Sequence, residues 1–391
     1  MQYFIGQTRF SVYSPDSKAW NISGFTEEDY IKNLYSDERL SIRMEIFIEK
    51  SLPLLDLMRK DYFYKHIVSY SSNLPEKWKK HLYSAARKYD FLYLDEVDSN
   101  VGNPVNNILQ GRSNGSVAYF RLDDDDLLSI NYLDYLDSYN NLSFKNMCIS
   151  FGKGIVAHYE NGRFVDFRIC NRRFLAIGQA YIGVFVDGKL DIPWGVSHHN
   201  VDSQLPVVLD SRNFVFFWTL HSEQDSNHRS GVDNNIDIQL MEYRKIDSSI
   251  NLEEDFPSLK YDLENFSINE KQFTLVDSFI ADRKTLLPIS MKNQKLSYEI
   301  VYDFEIPVTK KNMPNSLVFS FGFDFDARKI HGLNRSTNND IGWFRYISFF
   351  DGKAKGSFNI VLEEKGMINC LKFFIWNNEI SNFKINRVEI I

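Results

Sequence analysis

From residue 296 onward the chain alternates apolar and polar positions with a period of two. Leu296, Tyr298, Ile300, Tyr302, Phe304 and Ile306 share one face of one run, and Leu317, Phe319, Phe321, Phe323 and Phe325 share one face of the next, as half-buried strands require. Further runs lie around Trp343 to Phe350, Phe358 to Leu362, Leu371 to Trp376 and Phe383 to Ile390, with turns at Asp351-Gly352 and Asn377-Asn378. Six or more such strands predict an antiparallel β-sandwich, jelly-roll-like, over 251–391.

The first ~145 residues mix periods, which predicts an α/β half. Tyr3 to Val12 and Tyr64 to Tyr70 read as strands, and 37–50 as a helix with Leu40, Met44 and Phe47 on one face beside the basic pair Arg39 and Arg43. Pro75 opens a second helix through Trp78, Leu82 and Ala86. After residue 150 hairpins take over: Ile155 to Glu160 and Phe164 to Ile169 flank Asn161-Gly162, and Asp187-Gly188 marks another turn. From His221 to about Ser249 the chain turns polar, with Asp233-Asn234-Asn235, so a flexible connection is expected there and a boundary near residue 250 between domains 1–250 and 251–391.

Composition narrows the class without naming it. At 391 residues, two domains are expected, and 43% hydrophobic with 15% aromatic residues argues for ordered cores. A net charge of −7 offers no basic footprint for nucleic acid. Cys148, Cys170 and Cys370 are odd in number and lack Cys-x-x-Cys spacing, which excludes a disulfide framework. The N-terminus has no signal-like core and no apolar run nears the ~20 residues of a membrane span. A cytoplasmic protein is expected, with peripheral attachment to the inner face of the membrane left open; the oligomeric state is not legible.

One segment carries chemistry. Ser116 to Leu122 reads as a strand that runs directly into Asp123, Asp124, Asp125 and Asp126, and Ser129 is placed to cap a following helix of Ile130, Leu133, Tyr135 and Leu136. Four adjacent carboxylates repel one another unless a cation neutralises them, and oxygen-only ligands suit Mn²⁺ or Mg²⁺. A strand, an acidic loop and a helix in that order match where open α/β sheets bind ligands. The pattern suggests a sugar-nucleotide enzyme; an ordinary solvated acidic turn is the bland alternative.

Thr8-Arg9-Phe10 after the first strand, Arg39-Leu40 and Arg43 with Phe47, Ser69 at the end of the second strand, Leu74-Pro75, and Arg121-Leu122-Asp123 to Leu127 together resemble the bacterial rhamnosyltransferase family of GT-A-fold glycosyltransferases. The resemblance covers roughly residues 1–225 and leaves the C-terminal part unmatched. It implies a GT-A-like domain with a mixed sheet, binding a nucleotide-sugar donor through Thr8, Arg9, Phe10, Arg43, Ser69, Arg121, Asp123 and Asp124, with Asp123-x-Asp125 as the metal and ribose-phosphate motif. His221, ending the apolar run from Phe214, stands where such enzymes often supply a further metal ligand. Arg9, Arg43 and Arg121 match phosphate oxygens in geometry.

The loop Trp194 to Asp202, with His198 and His199, has the texture of an acceptor site. If the reaction inverts configuration, Asp202, Asp191 or His199 can serve as general base by type. The acceptor expected is a surface polysaccharide or glycolipid, and Trp343, Trp376 and Tyr346 are of the types that stack on sugar rings. The competing class is a non-catalytic carbohydrate-binding protein whose Asp cluster holds a structural ion. On the first reading, loss of Asp123 or Asp125 should abolish transfer and spare the fold, both being taken as exposed.

Overall fold

The computed structural model describes residues 1–13, 26–98, 104–193, 198–224, 236–240, 242–246, 250–264, 273–275, 278–291, 293–307 and 311–391. The chain divides into two compact units, 1–236 with 243–266, and 237–242 with 267–391. The segment Asp233-Asn234-Asn235 lies outside the described residues. Among the described residues, no helix is long and apolar enough to cross a membrane.

The first unit is mixed α/β. Its larger sheet takes β1 (Gln2–Phe10), β2 (Tyr64–Ser71), β3 (Leu92–Val97) and β4 (Gly115–Arg121). β1 pairs in parallel with both β2 and β4, and β2 in parallel with β3. The smaller sheet includes the two-residue β5 (Leu127–Leu128) just past the Asp run. β6 (Cys148–Phe151) belongs to the larger sheet, while β7 (Lys153–Glu160) and β8 (Arg163–Asn171) form a hairpin of the smaller one. Asn161 and Gly162 at its turn have φ of 53° and 78°, the paired positive values that an Asn-Gly connection supplies. β9 (Ala180–Val186) lies antiparallel beside β4, with the short β10 (Lys189–Asp191) on its other edge and β11 (Val207–Asp210) beyond β6. β12 (Phe216–Leu220) runs parallel to β7 and antiparallel to β5, and β13 (Arg244–Lys245) closes on β8. β1, β2 and β4 are buried along most of their length, so they lack the alternation that marks one-sided strands.

The helix expected over 37–50 is α-helical from Asp37 to Glu45, capped by Ser36, and then widens into a π-helix over Ile46–Ser51 before resuming at Leu52–Arg59. The Leu52 N–H donates to the Phe47 carbonyl five residues back. Leu40, Met44 and Phe47 are buried as expected, but Arg39 and Arg43 are buried as well. Pro75 takes the cap position of the helix Glu76–Lys88. The helix after the acidic loop is shorter than expected, Tyr132–Asp137 with Asn131 as its cap. Ser129 instead donates its hydroxyl to Asp255 and accepts the Asn131 N–H.

The first unit also continues past the boundary expected at residue 250. Leu252, Phe256 and Leu259 are buried in one cluster with Leu127, Ile155, Phe164 and Phe217. Asp262 anchors the same stretch, accepting the Phe164 N–H at 2.8 Å and pairing with Lys50 at 2.6 Å. Polar composition over 221–249 points to a break, yet the apolar residues that follow return to the first core.

At the end of β11 the Asp210 carboxylate takes both Nε and Nη2 of Arg212, at 3.0 and 2.7 Å, and the Tyr139 hydroxyl at 2.9 Å. Arg212 first, then its backbone N–H and Tyr139, bring the Asp210 carboxyl down to about 2. A depressed pKa contributes stability above the unfolded value of about 4 and loses it as pH falls towards the folded value. Asp210→Asn is therefore expected to melt below the native protein at pH 7, with the gap closing between about pH 4 and pH 2; a gap independent of pH would refute this.

The second unit is built from two antiparallel sheets. Lys295–Glu305, Lys353–Gly366 and Phe383–Ile390 lie in one, Met313–Phe323, Trp343–Phe349 and Ile368–Ile375 in the other. One apolar cluster draws on both, including Phe304, Phe319, Phe358, Phe373 and Ile385. Phe319 stacks on Phe373 at 4.7 Å.

Candidate active site

β1 and β4 lie in register with Gln7 opposite Arg121, which sets Arg9, Arg121 and the Asp run at the same carboxyl end of the sheet. Leu122 donates its N–H to the Gln7 carbonyl at 3.0 Å, tying the start of the loop to β1. The loop then turns inward. Asp126 accepts the Thr219 N–H of β12 at 2.9 Å, and Asp124, Asp125 and Asp126 are all buried.

The cation that the Asp run demands comes first from the chain itself. Arg43 Nη1 bonds Asp124 Oδ1 and lies 3.0 Å from Asp125 Oδ2. Arg39, one turn earlier, donates to Ser11 Oγ at 2.8 Å and to the Leu34 carbonyl at 3.2 Å. His221 Nε2 approaches Asp125 Oδ2 at 3.0 Å, and its Nδ1 accepts the Glu223 N–H at 3.2 Å. Arg43 is thus not a surface ion pair; it neutralises the loop from within.

These contacts sort the carboxylates. Burial alone would raise Asp125, but Arg43 and His221 outweigh it and hold its carboxyl below the usual range. Burial raises Asp124 despite Arg43, and raises Asp126 well above its usual value with help from Asp125 and Asp123. Asp123 differs in kind: its side chain is 44% exposed, 3.5 Å from Arg121 Nη2. Arg9 stands exposed at the end of β1, and desolvation first and the neighbouring Arg121 second lower its pKa.

One pocket of about 390 Å³ gathers these groups, lined by Arg9, Arg39, Arg43, Arg121 and Asp123 to Asp126, with Ser11, His198, Trp218, Thr219 and Gln224 among its walls. Small-molecule sites run from about 300 to 1,000 Å³. Of the residues expected here, Arg9, Arg43, Arg121, Asp123, Asp124 and Asp125 line the pocket, with His221 buried behind Asp125.

Three of the expected donor-binding side chains do not reach it. Thr8 Oγ1 is buried against His66 Nε2 at 2.9 Å, Ser69 Oγ donates to Asp95 at 2.8 Å, and Phe10 packs on Phe47. Strands buried on both faces turn such residues into the core. The expected bases are not drawn in either: Asp191 is exposed and pairs with Lys145 at 2.6 Å, and Asp202 sits exposed on the turn His198–Ser203. The His199 side chain and residues Trp194 to Ser197 lie outside the described residues. Arg39, His198 and Trp218 were not singled out as site residues. The i, i+4 spacing of Arg39 to Arg43 and the strand that leads to His221 were the signals available for two of them.

Whether a divalent ion fits can be asked of the donors. Among the described residues no group of three or more His, Cys, Asp or Glu side chains converges as a metal cage. Yet Asp123 and Asp125 line the same pocket, and a small hard ion commonly takes one or two carboxylates with substrate phosphates and water completing its shell. The residues fit an ion whose shell is completed from outside the protein.

The family described as "Putative rhamnosyl transferase" matches residues 3–233. No curated protein matches the chain. Among solved structures, S. aureus TarS 1-349 in complex with UDP aligns with a TM-score of 0.29 at 10% identity, over 57% of this chain and 62% of that one. The inositol-1-phosphate CTP transferase from T. maritima aligns with a TM-score of 0.26 at 11% identity, over 59% and 97%. The chain spans about three fifths of the TarS fragment.

Proposed function

The chain belongs to the rhamnosyl transferase family, and from that premise we propose that it is a metal-dependent GT-A glycosyltransferase, moving a sugar from a nucleotide-sugar donor to a surface-polysaccharide or glycolipid acceptor. The observation that carries this reading is the meeting of Arg9 and Arg121 with Asp123 and Asp125 in one pocket at the carboxyl end of β1 and β4. Guanidinium groups match diphosphate oxygens, and Arg9 and Arg121 are relieved of mutual repulsion by an anion. Asp123 and Asp125, with His221 against Asp125, would hold Mn²⁺ or Mg²⁺. Such an ion, when bound, supplies Lewis-acid stabilisation of the charge growing on a leaving nucleoside diphosphate.

On this reading the pocket wall supplies the base as well. His198 takes that role in place of Asp191 or Asp202, because it lines the pocket and they do not. His198→Gln is expected to lower the transfer rate by about 10²-fold, while Asp191→Asn and Asp202→Asn stay within about twofold. Activity lost in Asp202→Asn and kept in His198→Gln would reverse the assignment. The second unit is read as a β-sandwich accessory module that binds acceptor glycan. Trp376 and Tyr346 are exposed there, whereas Trp343 is partly buried beneath Arg335.

Thermal shift with UDP-, GDP-, dTDP- and CMP-sugars, with and without Mn²⁺, tests the donor class, since a ligand that binds the native state raises its melting point. Release of nucleoside diphosphate then separates an enzyme from a carbohydrate-binding protein with a structural ion. A chelator is expected to abolish release and Mn²⁺ or Mg²⁺ to restore it; full turnover in chelator would remove the ion from the reading.

A further inference from the structure

Away from the pocket, one surface departs from the chain's overall charge. The helix Glu76–Lys88 exposes Lys77, Lys80, His81, Ser84, Arg87 and Lys88. At about 100° per residue these positions fall within an arc of about 120°, along a stripe of about 16 Å. None of them is acidic. The opposite face buries Lys79, Leu82 and Ala85, and Lys79 is engaged there, its ammonium 2.8 Å from both Glu96 and the Ser72 carbonyl. Glu76, the only acid of the helix, stands in the first turn, 3.6 Å from Lys79. On the stripe itself Lys77 pairs with Asp37, but among the described residues no carboxylate pairs with Lys80, Arg87 or Lys88. Lys88 Nζ lies 4.8 Å from the centre of the Tyr89 ring, and Tyr89 first, with Glu49 and Asp56 further off, raises its pKa.

Like charges three and four positions apart destabilise a helix, and a solvated helix face ordinarily mixes the two signs. Here one sign accumulates on a chain whose net charge is −7. Tyr83, 36% exposed, borders the stripe, and Trp78 lies half-buried at its other edge, 5.7 Å from His81; such rings settle at the level of lipid headgroups. We propose that this stripe docks the protein on an anionic bilayer surface, with Lys80, Arg87 and Lys88 set against acidic phospholipid headgroups. The apolar side of the helix is committed to the core, so the contact is electrostatic and superficial, without insertion. Cations spread along the stripe suit many headgroups at once and do not converge on a single phosphate. The helix starts beyond the carboxyl end of β2, the end of the sheet that bears the pocket, and Asp37 beneath Lys77 stands two residues before the pocket's Arg39. The inference does not depend on the donor reading; it adds a surface on which the protein works.

Flotation of the full chain with vesicles tests this, comparing phosphatidylcholine alone with phosphatidylcholine containing phosphatidylglycerol. Expected is binding to the anionic vesicles only, lost as salt rises from about 0.1 M to about 1 M and the screening length falls from about 10 Å to about 3 Å. Each Lys or Arg near an anionic leaflet contributes about fivefold to binding, so the triple variant Lys80→Gln, Arg87→Gln, Lys88→Gln should bind about 10²-fold more weakly. Lys189→Gln, Arg328→Gln, Lys329→Gln removes the same charge from exposed positions off the stripe and should bind as the native chain does. Equal loss in the two triple variants would reduce the attraction to net charge and overturn the proposal, as would equal binding to neutral vesicles or no binding to either. Retention on heparin or DNA without binding to vesicles would assign the stripe to another polyanion and overturn it too. If the first triple variant fails to fold, its three single variants, each expected to lose about fivefold, decide the matter. Nucleoside diphosphate binding measured on the same samples reports on the donor reading separately.

Discussion

A chain ended at residue 250 will fail to give a folded first unit, whereas one ended at 266 will melt cooperatively. The shorter chain lacks Leu252, Phe256 and Leu259, which are 2%, 0% and 0% exposed in the cluster with Leu127, Ile155, Phe164 and Phe217. Each such side chain contributes about 1.5–3 kcal/mol by burial. Three together approach the whole stability of an ordinary domain, about 5–15 kcal/mol. The shorter chain also loses Asp262, leaving the Phe164 N–H and Lys50 without the partner they share. Soluble yield and a circular-dichroism melt of the two fragments are the measurements. Equal melting of both would mean that 251–266 merely decorates the core.

Asp123→Ala and Asp125→Ala should both cut transfer by about 10²–10³-fold or more, the range found when one preorganised electrostatic group is removed, but only one should leave the fold alone. The Asp123 side chain is half-exposed and its contact with Arg121 is long, and such solvent-accessible pairs contribute about 0–1 kcal/mol. Asp125 is buried between Arg43 and His221. Its removal strands a buried guanidinium, and breaking such a pair costs about 3–5 kcal/mol, a melting point lower by roughly 10 °C for a unit of this size. The expectation that both residues are exposed fails for Asp125, which is buried, while Asp123 is partly exposed. Equal melting points for the two variants would show that Arg43 does not depend on Asp125, and wild-type transfer in both would end the glycosyltransferase reading of this pocket.

What the chain discloses before folding depends on how far apart the interacting residues lie. The end of β4, the Asn161-Gly162 turn and the alternation of the second unit are local, and each was readable from a few consecutive residues. The neutralisation of the Asp run was not. Arg43 lies 81 positions from Asp124, Thr219 lies 93 from Asp126, and His221 lies 96 from Asp125. A need for positive charge was legible in four adjacent carboxylates; its source was not. Thr8 and Ser69 show the opposite limit, since polar residues on a strand covered on both faces look the same in sequence whether they meet a ligand or a buried histidine or aspartate. Residues 252–259 show a third, in which a polar stretch conceals that the chain returns to the core it had left.

The π-helix at Ile46–Ser51 has a consequence for how this segment tolerates change in length. Each α-helical residue advances the chain by about 100°, and the surplus residue of a π turn absorbs one such step. Here it lets Arg39 and Arg43 face the acidic loop upstream while Leu52, Leu54, Leu55 and Met58 stay buried downstream. Deleting one residue among 46–51 would relax the helix to ordinary winding, a change that favours its own backbone. Because the wide turn absorbs that extra residue, the same deletion would leave the two halves in phase, so that the arginines upstream and the leucines downstream keep their partners. The irregular winding is therefore an accommodated extra residue, and the segment should tolerate the loss of one residue at 46–51 more readily than a loss elsewhere along the same helix.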